Sequence, residues 1–152
     1  MAEHIFTDTL EIDRPLDEVF EFFADARNLE KITPNELGFN ILSPIEELRE
    51  GSLIDYSLRL YGFPIKWRTE ITKWDPPNTF VDTQLSGPYS QWIHTHKFTE
   101  IDPERTLIED AVRYRLPLEP LGDLAHFLVR QQICRIFAFR KKTVAEILEK
   151  TA

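Results

Sequence analysis

FVDTQLSGPYSQWIHTHKFTEIDPERTLIEDAVRYRL, residues 80–116, holds three alternating segments separated by two turn signals. Phe80–Ser86, Gln91–Ile101 and Thr106–Leu116 read as strands. Ser86-Gly87-Pro88-Tyr89 and Asp102-Pro103-Glu104-Arg105 read as the turns between them. Consecutive strands joined by tight turns make an antiparallel meander. The same pattern extends upstream through Leu37–Leu42, Leu53–Tyr61 and Ile65–Trp74. Tyr61-Gly62-Phe63-Pro64 interrupts it once, and Asp75-Pro76-Pro77-Asn78 turns it again.

The flanks are different. Residues 3–12 alternate as a first strand, which Asp13-Arg14-Pro15 stops. Asp13 is placed to cap a helix, and Pro15 fits a first helical turn, where its missing N–H has no partner to lose. Leu16, Val19, Phe20 and Phe23 then follow at helical spacing, and a second short helix fits Asn28 to Ile32 before Pro34. Downstream, Pro117 and Pro120 flank a loop. Gly122-Asp123 opens a long helix to about Glu149, with Asp123 as its N-cap. Leu124, Phe127, Leu128, Ile136, Phe137, Val144, Ile147 and Leu148 form its apolar stripe. A sheet with one apolar face must cover it, and the last helix is the element long enough to do so. The expected fold is α+β: a curved, seven-stranded antiparallel sheet around a long C-terminal helix, with two short helices after strand 1 and space left inside.

Bulk properties narrow the classes. The 152 residues read as a single domain, 1–152. A net charge of -8 argues against a nucleic-acid binder. One cysteine, Cys134, excludes an internal disulfide and a multi-cysteine zinc cage, and it is expected as a small buried hydrophobe. No signal peptide is evident, and no run approaches the ~18 apolar residues of a membrane span. The expectation is a cytoplasmic monomer or homodimer that does not insert into membranes. Arg130, Arg135, Arg140, Lys141 and Lys142 read as a solvated basic helix face or a partner patch.

The residues that carry the resemblance come next. They are Pro15-Leu16-Asp17-Glu18-Val19-Phe20-Glu21-Phe22-Phe23, Asn28-Leu29-Glu30-Lys31-Ile32-Thr33-Pro34, Gly62-Phe63-Pro64, Trp67, Trp74-Asp75-Pro76-Pro77, Gly87-Pro88-Tyr89 and Trp92–Phe98. On these the chain resembles the START-like or birch-pollen-allergen-like helix-grip superfamily, in particular its bacterial polyketide cyclase/dehydrase and lipid-transport branch. The resemblance implies a cavity between sheet and helix for a hydrophobic or amphipathic small molecule. It brings no shared catalytic motif, and no cofactor is called for.

Candidate site residues follow from strand parity. Side chains alternate with period two, so Trp92 and Phe98 share a face with His94 and His96. Phe80 shares one with Asp82 and Gln84. Tyr114 shares one with Asp110. The two hairpins bring Asp82 opposite His94 or His96, and Asp110 opposite His96 with His94 nearby. Asp82, His94, His96 and Asp110, with Gln84 at the edge, are therefore expected to converge. Three roles stand open: a satisfied polar network, a polar cavity end that orients a ligand, or a catalytic or metal site. No metal is assigned. Tyr56, Leu58, Trp67, Phe80, Trp92, Tyr114, Phe127 and Phe137 are core or cavity lining. His126 is expected at the surface or facing a loop, and His4 carries no signal.

Overall fold

In the computed structural model, residues 3–44, 46–117 and 125–150 are described. The strands are β1 (His4–Ile12), β2 (Asn40–Ile41), β3 (Leu53–Leu60), β4 (Phe63–Asp75), β5 (Thr79–Ser86), β6 (Gln91–Asp102) and β7 (Arg105–Arg115). The helices are α1 (Leu16–Ala24), α2 (Asn28–Lys31), a 3-10 turn (Asn35–Leu37) and α3 (His126–Lys150). All seven strands form one antiparallel sheet in the order β1-β7-β6-β5-β4-β3-β2. The meander and the covering helix are as the alternation and the apolar stripe imply.

Local departures have physical causes. Asp13 does not cap α1; Pro15 precedes its first turn, and no side chain caps it. The expected strand Leu37–Leu42 shrinks to Asn40–Ile41, because a 3-10 turn takes Asn35–Leu37 and Gly38 adopts φ 55°. Tyr61 and Gly62 form the β3–β4 turn with φ of 52° and 83°. That double positive φ matches the twist of a two-residue hairpin. Pro64 therefore lies within β4, opposite Arg59. The expected caps and loop between Leu118 and Leu124, Asp123 among them, lie outside the described residues.

β4 carries a bulge: Ile71 pairs with Asp82, but Lys73 pairs with Val81. Thr72 is the extra residue, and it shifts the parity so that Trp74 rejoins the inner face. There Trp74 meets Phe20 and Phe80, at centroid distances of 5.3 and 5.4 Å.

The core is split. One cluster joins α1, the sheet and the end of α3 through Phe20, Phe80, Phe98, Ile108, Val144 and Leu148. The other joins Phe6, Val112, Tyr114 and Leu116 to Ile133 and Phe137 of α3. Ties to α3 include Arg14 Nε donating to Leu148 O at 2.6 Å and Arg130 Nη1 donating to Ile5 O at 3.1 Å. The buried positions of α3 are Ile133, Phe137, Val144 and Leu148, whereas Phe127 and Leu128 are exposed. Cys134 is exposed too, contrary to expectation, because it lies one residue past Ile133 and off the buried stripe.

Candidate functional site

Between the two core clusters lies a cavity of about 170 Å³, bounded by α1, α2, the inner face of the sheet and α3. β3 and β4 supply Tyr56, Leu58 and Trp67. Tyr56 stacks on Trp67 at 5.7 Å, and Trp67 meets Trp92 edge-on at 5.4 Å. Tyr89 closes this aromatic wall at 4.8 Å from Trp92. Phe80 and Phe137 also line the space. Period-two alternation puts these rings on one face, and the curvature of the sheet keeps them from meeting α3 everywhere.

One end of the cavity is polar. Asp82 sits opposite His94 on the backbone, and His96 opposite Asp110. The shortest bonds nevertheless run diagonally. His96 Nε2 is 2.5 Å from Asp82 Oδ2, and His94 Nε2 is 2.7 Å from Asp110 Oδ1. The directly opposed pairs are looser, at 3.7 Å (His94 Nδ1 to Asp82) and 3.5 Å (His96 Nδ1 to Asp110). Each imidazole is thus bonded to one carboxylate and lies near the other, and the two rings stack at 3.7 Å. Phe80 stacks on the other side of His96 at 4.0 Å.

The electrostatics follow from this packing. Burial and the neighbouring charge of His94 push His96 down to about 4, although Asp82 and Asp110 pull the other way. His96 is therefore neutral near pH 7. With its Nε2–H given to Asp82, its Nδ1 keeps a lone pair, is buried and has no hydrogen-bond partner. Burial alone raises a carboxyl group. For Asp82 that effect is outweighed by the charge of His94, the bond from His96 and Arg140, which together hold it below the usual range. Asp110 is likewise held low against its burial, by the bond to His94 and by the charges of His94 and Arg140.

These groups suit proton transfer or the orientation of a polar ligand head. Asp82, His94 and His96 also bring one ligand atom each within 4.8 Å of one another. A divalent cation could be held there only by breaking the short histidine–aspartate bonds, and this donor set then fits imidazole–carboxylate coordination.

Several expected lining residues lie elsewhere. Gln84 is spent on the β5–β6 turn: its Nε2 donates to Tyr89 O at 2.7 Å, and its Oε1 accepts from Tyr89 N at 3.1 Å. Tyr114 is fully buried in the second core cluster, with its hydroxyl 2.8 Å from His126 Nε2. Phe127 is 63% exposed. Asp110 stands behind His94, away from the main cavity, and borders a smaller pocket with Arg140. His126 is half-buried and stacks on His4 at 3.6 Å, so His4 has a structural place that its sequence position did not suggest.

The sequence reading missed Phe23, Tyr89 and Arg140, all of which line the cavity. Arg140 had a visible signal. It falls three residues after Phe137 and four before Val144, inside the buried stripe and not on the outer basic face.

No family model and no curated protein matches the sequence. Solved structures do match, over nearly the whole chain. The Zhui aromatase/cyclase of Streptomyces sp. R1128 is 18% identical, with a TM-score of 0.81 over 98% of this chain and 95% of that one. A START superfamily protein of Mycobacterium smegmatis is 14% identical, with a TM-score of 0.74 over 98% and 99%. Norcoclaurine synthase of Thalictrum flavum, in complex with dopamine and hydroxybenzaldehyde, is 12% identical, with a TM-score of 0.72 over 99% and 89%. The fold is therefore the START and birch-pollen-allergen-like helix-grip.

Proposed function

We propose that this protein takes up an amphipathic small molecule, lays its apolar body against the Tyr56, Trp67 and Trp92 wall, and turns its polar end toward His94 and His96. The carrying observation is the cavity itself, about 170 Å³, aromatic on one side and bounded by a histidine–aspartate cluster on the other. Ligand pockets are concave and mostly apolar, with a few placed polar groups, and this one has that composition. No helix among the described residues is long and apolar enough to cross a membrane. Lipids, isoprenoids, quinones and polyketide-like molecules all fit the chemistry. Native mass spectrometry of freshly purified protein, with a dye-displacement screen, should detect one bound molecule per chain. Absence of uptake in both sinks the reading.

The second reading is a cyclase, dehydrase or hydrolase that uses the histidine–aspartate cluster, and His96 favours it. A neutral, buried imidazole braced by Asp82, with its Nδ1 unbonded 3.5 Å from Asp110, is in the protonation state that a general base needs. The Zhui protein is named an aromatase/cyclase and has the same fold. On a cyclisable poly-β-ketone substrate, His96→Ala and Asp82→Asn should each lower turnover by roughly 10²–10⁴-fold. Unchanged turnover would leave the cluster as ligand-orienting only.

A further inference from the structure

The polar groups around this cavity divide unevenly. The two carboxylates are engaged, since Asp82 and Asp110 are each hydrogen-bonded to a histidine, and one acceptor, His96 Nδ1, is buried without a partner. Donors remain. Trp67 Nε1 is buried without a partner. The Tyr56 hydroxyl, on the cavity wall, makes no hydrogen bond among the described residues.

Arg140 is the strongest case. It is the sole lysine or arginine lining the cavity among the described residues. Its guanidinium lies 5.6 Å from the ring centroids of both Phe23 and Phe137. No carboxylate or carbonyl among the described residues comes within hydrogen-bond or ion-pair distance of it. The neighbouring α3 cations behave differently: Lys141 pairs with Asp8, and Arg135 with Glu36.

A long-range counter-charge for Asp82 and Asp110 accounts for the charge of Arg140 but not for its donors. A guanidinium carries five N–H groups in a fixed fork. The fork matches a carboxylate-like oxygen pair. The guanidinium carbon lies over both rings, an arrangement that favours a cation there.

We infer that the occupant of this cavity carries an anionic oxygen, as a carboxylate or enolate, held by Arg140 while its apolar body lies against the aromatic wall. This rests on the cavity reading above and adds the chemical class of the ligand. It also makes Arg140 the specificity-determining residue. The protein as a whole carries -8, so any preference for an anion has to come from the site and not from the surface field.

Two fluorescent probes with one skeleton test it: 8-anilinonaphthalene-1-sulfonate, which is anionic, and N-phenyl-1-naphthylamine, which is neutral. The native chain should bind both and favour the sulfonate. Arg140→Gln should weaken the sulfonate by roughly 10- to 100-fold, the scale of one charged hydrogen bond, and move the neutral probe less than about threefold. Arg140→Lys should restore part of the loss. If both probes bind the native chain but Arg140→Gln weakens them equally, or leaves the sulfonate unaffected, Arg140 is wall and the inference falls while the cavity reading stands. If neither probe binds, the cavity reading itself fails and takes this one with it.

Discussion

His96 shows what a single residue contributes here. Its imidazole is 3% exposed, stacked between Phe80 and His94, and bonded to Asp82. The groups facing it are Asp82 on β5, His94 on β6 and Asp110 on β7, with the charge of Arg140 on α3 acting on both aspartates. Its folded value is about 4, against an ordinary 6.5. Between those values the unfolded chain binds a proton that the folded chain refuses, so stability rises with pH across that window and is lost as pH falls through it. The loss is on the order of 3 kcal/mol at full protonation. Asp82 and Asp110, both held low, extend the loss below pH 4. Urea midpoints measured from pH 7 to 4.5 should therefore fall steadily. A flat profile means that His96 is not buried and neutral. The sequence foretold that these four side chains converge, because strand parity is a strict rule. It did not foretell the diagonal bonding, because turns fix which backbone positions face each other and not which way the side chains lean.

α3 was legible in the sequence as an element but not in its detail. An apolar stripe was legible, but Phe127 and Leu128 were counted in it and Ile133 was not. The reason is geometric: the sheet covers the helix from about Ile133 onward, and the stripe runs Ile133, Phe137, Arg140, Val144, Leu148. Hydrophobicity alone does not say where along a helix the covering sheet begins. Ile133→Ala removes a side chain that is 2% exposed and should cost about 2–5 kcal/mol. Phe127→Ala removes a larger but 63% exposed ring and should stay within about 0.5 kcal/mol. Thermal unfolding of the two variants checks the assignment, and the reverse order would place the buried face elsewhere on the helix. Arg140 escaped the reading for a related reason. A charge inside an apolar stripe looks like an interruption until the cavity behind it is known.

At the scale of the whole molecule, the question is why a chain of this size keeps a void. The fold was legible in the sequence because turn signals and strand alternation set the meander, and the long helix had one face to cover. The void was expected too, from the curvature of the sheet and the family resemblance and not from any residue type, but its size and lining were not. An apolar cavity costs roughly 24 cal/mol per Å³, so about 170 Å³ left dry would cost on the order of 4 kcal/mol. That is a large fraction of the stability of an ordinary domain. A packed core gives the opposite response to added volume, losing about 1–3 kcal/mol on a small-to-large change. Leu58 borders the cavity from β3 and is 8% exposed, so Leu58→Phe adds bulk directly into the space. If the void is kept for a ligand, Leu58→Phe should leave the unfolding midpoint unchanged or raise it. It should also cut affinity for both naphthalene probes at least tenfold, without distinguishing anionic from neutral, as Arg140→Gln is expected to do. A variant destabilised as a packed core would be, with probe binding intact, would mean that the space is already filled in solution and that ligands bind elsewhere.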